Sequence, residues 1–186
     1  MKRPLLLVGL LLVILCIVLG VGVAITREKL RCDVNTLVLA EGEMPEDWNL
    51  VWEIQPPALP RLGSRRAYGV FMQNGDETAH HTVYEYSNRT LAVLHITVEN
   101  QTFFPSIGWN WRELEGTRGM PLCADQREIR CGDSDDPYLG SRCTAILRYG
   151  PYVSDFSSSV QEGVLSIEEF KQIVLKIDGQ LCQCRN

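Results

Sequence analysis

Hydropathy divides the chain in two. Residues 4–25, PLLLVGLLLVILCIVLGVGVAI, carry no charged side chain, and polar and apolar positions intermingle from residue 26 onward. As a helix, at about 1.5 Å per residue, the apolar run reaches about 33 Å, enough for a hydrocarbon core of about 30 Å. It exceeds the apolar region of a secretory signal peptide, roughly 7–15 residues, and so predicts a retained transmembrane anchor over 1–25. Gly20, Gly22 and Ala24 leave signal cleavage as the second reading. Residues 26–35 are polar and predict a juxtamembrane stalk, which leaves 36–186 for the folded domain.

Beyond the stalk the prevailing period is two. Thr36–Glu41 is short and strand-like. Trp48–Ile54 alternates, with Trp48, Leu50, Trp52 and Ile54 on one side, and predicts a strand that buries both tryptophans. Arg65–Gln73 and Thr78–Tyr86 flank Asn74-Gly75, a strong hairpin signal. Thr90–Val98 reads as the next strand, turning at Asn88-Arg89. Ala124–Cys131 and Arg142–Tyr149 are two more, joined by an acidic loop, and Tyr152–Phe156 continues the last one past a bend at Gly150-Pro151. Ser106–Leu114 reads as a short helix or a loop. One segment is helical by its own signals. Ser166 and Glu169 form a capping box, and Ile167, Phe170, Ile173, Val174, Ile177 and Leu181 follow at helical spacing. The fold class expected is α+β: an N-terminal transmembrane helix, then a small disulfide-stapled domain whose antiparallel sheet is covered on one face by the C-terminal helix.

Charge and cysteine content narrow the setting. The net charge is −5, from 18 basic and 23 acidic residues. Without a basic face the domain is no candidate for nucleic acid or for electrostatic docking on anionic lipid. Of 7 cysteines, Cys16 lies inside the apolar run. The other six, Cys32, Cys123, Cys131, Cys143, Cys182 and Cys184, read as three disulfides formed in an oxidising compartment. Basic residues flank the apolar run on both sides, so the positive-inside rule does not orient it. The cysteines do, placing residues 27–186 outside the cytoplasm and the N-terminus inside. Cys182-Gln183-Cys184 lacks the second pair or the histidine that a zinc set needs. Cys131 and Cys143 bracket a hairpin neck and are expected to bridge. Cys182 and Cys184 are too close to bridge each other, so one should reach Cys32 and the other Cys123.

Candidate chemistry is sparse. In a Thr78–Tyr86/Thr90–Val98 hairpin, His80 and His95 would be diagonal neighbours about 7–8 Å apart, too far for a shared metal, with Glu99 beyond them. The Asp133-Ser134-Asp135-Asp136 turn lacks the glycine and terminal glutamate of an EF-hand loop. Ser157, Ser158 and Ser159 have no local general base. No P-loop, nucleophile elbow, zinc-protease or dinucleotide motif is present, so no cofactor or metal is called and the chain leans away from being an enzyme. Asn88-Arg89-Thr90 and Asn100-Gln101-Thr102 are sequons. Trp109 and Trp111, with Tyr138, sit in irregular sequence and form the candidate binding surface. The function these features favour is a membrane-anchored extracytoplasmic binding or sensing module, held in the membrane by residues 4–25 and acting through a membrane or envelope protein partner. The alternatives are a structural envelope or adhesion component, or a secreted enzyme or inhibitor released by cleavage.

Overall fold

The computed structural model describes residues 32–54, 63–104, 108–136 and 139–185. The expected anchor over 4–25 and the candidate residue Tyr138 lie outside the described residues. Among the described residues no helix is long and apolar enough to cross a membrane.

Seven strands make one sheet: β1 (Asn49–Ile54), β2 (Ser64–Asn74), β3 (Glu77–Tyr86), β4 (Trp109–Glu113), β5 (Gln126–Ser134), β6 (Ser141–Tyr149) and β7 (Tyr152–Ser159). Their spatial order is β1-β2-β3-β7-β6-β5-β4, and every neighbouring pair is antiparallel. Two tight hairpins use glycine at positive φ, where a side chain would be strained: Gly75 at +59° between β2 and β3, and Gly150 at +57° between β6 and β7. Two helices complete the domain, α1 (Arg89–Thr102) and α2 (Ile167–Cys182).

Directly paired residues of antiparallel strands share a face, so the register sorts the side chains. One face carries Val70, His81, Phe156, Ala145 and Ile129 in a single cross-strand row. Helix α2 covers it. Phe170 stacks on Phe156 with centroids 5.3 Å apart, and Val174, Ile177 and Leu181 are buried behind it. The capping box is present as the sequence predicts. The chain from Cys32 to Trp48 covers the rest of this face. There the Leu39 amide donates to His81 Nδ1 at 3.0 Å, which leaves the ring proton on Nε2 to meet Ser154 Oγ at 2.9 Å. Burial, with a smaller push from His80, lowers the His81 pKa from 6.5 to about 3, so the ring is neutral. The disulfides fasten the same face. Cys131–Cys143 links a directly paired position of β5 and β6, Cys123–Cys182 ties the β5 approach to the end of α2, and Cys32–Cys184 ties the start of the domain to its end.

Helix α1 packs on the other face, where Ala92, Ile96 and Phe104 meet Ala67, Tyr84, Tyr86, Ile146 and Val153. This corrects the strand expected over Thr90–Val98. Asn88 is a helix cap, its side chain accepting from the Leu91 amide at 3.0 Å, and the buried positions Ala92, His95, Ile96 and Glu99 have helical spacing. Two of those four are polar, which hid the stripe behind a run of β-branched residues.

Other expectations also shift. Val34–Thr36 forms a single 3-10 turn, and Thr36–Glu41 is not a strand. Residues 32–35 are knitted into the domain rather than forming a stalk: Val34 is buried and Asp33 pairs with Arg66 at 3.6 Å. Trp48 is buried, its indole donating to the Val164 carbonyl, but Trp52 is 51% exposed. A bulge at Val51 breaks the alternation between them. Trp109–Glu113 is an edge strand, neither helix nor loop, and β7 turns back as a full strand instead of extending β6.

Candidate binding face

The α1 face holds the features that could meet a ligand. A groove of about 610 Å³ opens between α1, which contributes Ile96, Thr97 and Asn100, the segment leading into β5, which contributes Met120 and Leu122, and the start of β5, which contributes Gln126 and Glu128. Its walls are fixed by ion pairs and hydrogen bonds. The Arg127 guanidinium donates to the carbonyls of Met120 and Arg118 and sets the loop. Asp125 accepts from the Gly150 amide at 2.7 Å and pairs with Arg148 at 3.2 Å and Arg185 at 2.8 Å. Arg148 also donates to Gln126 at 2.7 Å. At one end Arg130 pairs with Glu128 at 3.3 Å, reaches Asn100 Oδ1 at 3.5 Å and lies 4.5 Å above the Phe104 ring. The charged groups of the lining are engaged with the protein, so the groove is preorganised. Its lining holds no nucleophile beside a base.

Beyond Arg130 lies an aromatic wall. Trp109 and Trp111 stack with centroids 5.4 Å apart, and Trp111 meets Phe103 at 5.5 Å and Phe104 at 5.4 Å. The Trp111 indole lies across Gly132, where a Cβ would come within 2.9 Å of Cδ2, so only glycine fits beneath it. At the opposite edge of the sheet Trp52 stacks flat on Phe71 at 4.2 Å. Trp109 and Trp111, singled out from sequence as part of a candidate binding surface, stack on each other and are both half-buried, with Trp111 packed against Phe103 and Phe104.

Between the two aromatic pairs the sheet face is polar. Thr82, Thr144, Asp155, Ser157 and Ser159 are buried there, and Thr144 Oγ1 donates to Ser157 Oγ at 2.9 Å. The register also places His80 directly opposite Ser157, a neighbour that linear spacing did not reveal. His80 and His95 are not brought together. His95 lies on the buried side of α1, with Nδ1 at 2.6 Å from the Tyr86 hydroxyl and Nε2 at 3.9 Å from Glu99.

The remaining sequence candidates are structural. In the acidic turn, Asp133 bonds Ser141 and Arg112, which hold its carboxyl below the usual range, and Asp135 accepts from Asn110. Cys123, Asp178 and Cys182 converge as a metal set would. However, the two cysteines form a disulfide, and the Asp178 carboxylate accepts from the Cys123 and Ala124 amides and from the Tyr149 hydroxyl at 2.8 Å. Asn88 serves as the α1 cap, and Asn100 lines the groove.

Comparison with known proteins bears on the frame rather than the groove. The fold is similar to the crystal structure of the extracellular domain of PknH from Mycobacterium tuberculosis, with a TM-score of 0.61 at 11% sequence identity. The match covers 83% of this chain and 98% of that one. The fold is shared with an extracellular domain. No family model and no curated protein matches the chain.

Proposed function

We propose that the chain is an extracytoplasmic ligand-binding or sensing domain, tethered to the membrane through residues 4–25, and that its ligand enters the groove between α1 and β5. The observation that carries this reading is the groove itself, with charged walls already committed to one another and held on a sheet whose other face is closed by helix and disulfides. Three disulfides and a fold shared with an extracellular domain support the compartment. No catalysis is assigned. Signal output runs through a membrane or envelope protein partner.

The test is a thermal-shift screen of glycans, peptides and polar metabolites on the full chain, run in parallel with Thr97→Trp. Thr97 is exposed on α1 and lines the groove, so the indole fills the groove without entering the core. A stabilising ligand lost in the variant supports the site, and equal shifts in both proteins remove it. Membranes washed at alkaline pH should retain the chain with its N-terminus at Met1, whereas mature chains beginning near Val23 or Ile25 would remove the tether. A second reading, an adhesion or envelope component, draws on β1, an edge strand with Trp52 and Val51 exposed.

A further inference from the structure

The lining of the groove beside α1 has its hydrogen-bonding sense fixed by the protein itself. Gln126 Oε1 accepts from Arg148 Nε at 2.7 Å, and Asn100 Oδ1 accepts from Arg130 Nη2 at 3.5 Å. An amide held by its carbonyl presents its NH2 group, with two donors, at the other end. Neither NH2 group has an acceptor among the described residues. The acceptors of the lining are fixed in the same way. The Thr97 hydroxyl spends its proton on the Val93 carbonyl at 3.0 Å, which leaves its lone pairs. Glu128 pairs with Arg130 through Oε2 at 3.3 Å, which leaves Oε1.

Each wall carries one amide donor and one acceptor. Thr97 and Asn100 are three apart on α1 and so are neighbours on its surface. Gln126 and Glu128 are two apart on β5 and share a face, about 7 Å apart along the strand. All four line one cavity of about 610 Å³, within the span of about 300–1,000 Å³ usual for small-molecule sites. Ile96, Met120 and Leu122 add apolar surface to it. No ionic contact is on offer. Arg127 is committed to the Met120 and Arg118 carbonyls and Arg130 to Glu128. Both Asp125 oxygens are taken, by Arg148, Arg185 and the Gly150 amide. A charged ligand therefore finds each opposite charge already engaged. An extended peptide is disfavoured for another reason. Main-chain recognition needs free backbone groups, and the Met120 carbonyl already accepts from Arg127 and from the Leu122 amide. What matches is a ligand whose neighbouring groups each donate and accept, with apolar C–H faces between them. Sugar hydroxyls have that character.

We infer that the groove takes an uncharged carbohydrate. Its hydroxyls accept from the Asn100 and Gln126 amides and donate to Thr97 Oγ1 and Glu128 Oε1, and its C–H faces lie on Ile96, Met120 and Leu122. This rests on the groove being the binding site and adds the class of ligand that the site takes.

The test uses the full chain in detergent micelles, labelled with ¹⁵N, and follows the side-chain NH2 resonances of Asn100 and Gln126. Neutral trisaccharides of glucose, mannose, galactose and N-acetylglucosamine are titrated one at a time. A galacturonic acid trimer, a glucosamine trimer and a blocked alanine–serine tripeptide are titrated beside them. The expected result is a saturable shift of both NH2 groups with a neutral trisaccharide, at a concentration at least about tenfold below that needed by the charged trimers or the peptide. Gln126→Glu and Asn100→Asp keep the oxygen that the arginine holds and remove only the donor. Each should therefore weaken binding about tenfold, as expected for one lost hydrogen bond, with the thermal midpoint unchanged or raised. The amide left in each variant reports the binding. Thr97→Trp should abolish every shift. No movement of either NH2 group with any neutral trisaccharide at tens of millimolar overturns the carbohydrate assignment, and so does binding undiminished in both amide variants. If a charged trimer or the peptide shifts the amides instead and Thr97→Trp abolishes that shift, the carbohydrate assignment falls while the groove stands. Shifts that survive Thr97→Trp overturn both.

Discussion

The two faces of the sheet solve different problems with the same strands. The α2 face is covered by a capped helix and the Cys32–Trp48 segment and fastened by all three disulfides, and its buried polar side chains His81, Ser154 and Asp178 are hydrogen-bonded. Its one buried histidine has both ring nitrogens in hydrogen bonds. The α1 face has a helix with two polar residues in its buried stripe, a field of hydroxyls, aromatic pairs at both edges, an open groove and two buried donors without acceptors. Buried polar groups occur on both sides, but the buried N–H donors of Trp111 and Arg142 that meet no acceptor lie on the α1 side. Departures from good packing concentrated on one face mark where a domain meets something else.

The comparison predicts unequal sensitivity. Joining the first and last parts of the domain across 152 residues removes much chain entropy, so replacing Cys32 and Cys184 together by serine should lower stability by about 5 kcal/mol in the loop-entropy model, read by denaturant unfolding. A loss under about 1 kcal/mol would mean that the α2 face holds without its closure. Phe170→Ala, which empties the stack on Phe156, should cost about 3–5 kcal/mol, whereas Trp52→Ala on the other face should stay below about 1 kcal/mol. Equal losses would erase the distinction between packed and presenting faces. A further test is acid. His81 is neutral in the fold, with its pKa lowered to about 3, while the unfolded chain takes up a proton below about 6.5. Stability contributed by the neutral ring is therefore complete above pH 6.5. It should fall by about 1.4 kcal/mol per pH unit as pH drops toward 3, and His81→Gln should flatten that slope.

The α2 face was legible in sequence and the α1 face was not, for physical reasons. Helix α2 announces itself because its cap, its stripe and its buried side all agree, from Ser166 to Leu181. The Cys131–Cys143 bridge follows from hairpin register, and the exclusion of a Cys182–Cys184 ring left Cys32 and Cys123 as partners, as the structure pairs them. Helix α1 was misread because His95 and Glu99 occupy its buried positions, and with it went the His80/His95 geometry. The groove draws on α1, the Met120–Leu122 segment and β5, so no local window contains it. Trp109 and Trp111 could be singled out because aromatics in irregular sequence are conspicuous, but their stacking depends on an edge strand that the sequence left open.

The Cys32–Cys184 bridge makes the described domain a covalent ring in which entry and exit share one point. Tension applied between the chain before Cys32 and the chain after Cys184 passes through the sulfur–sulfur bond and leaves the sheet unloaded. Strands and groove are thereby insulated from pulling at either end, so a domain hung from a moving surface would keep its binding face in shape while its attachment is strained.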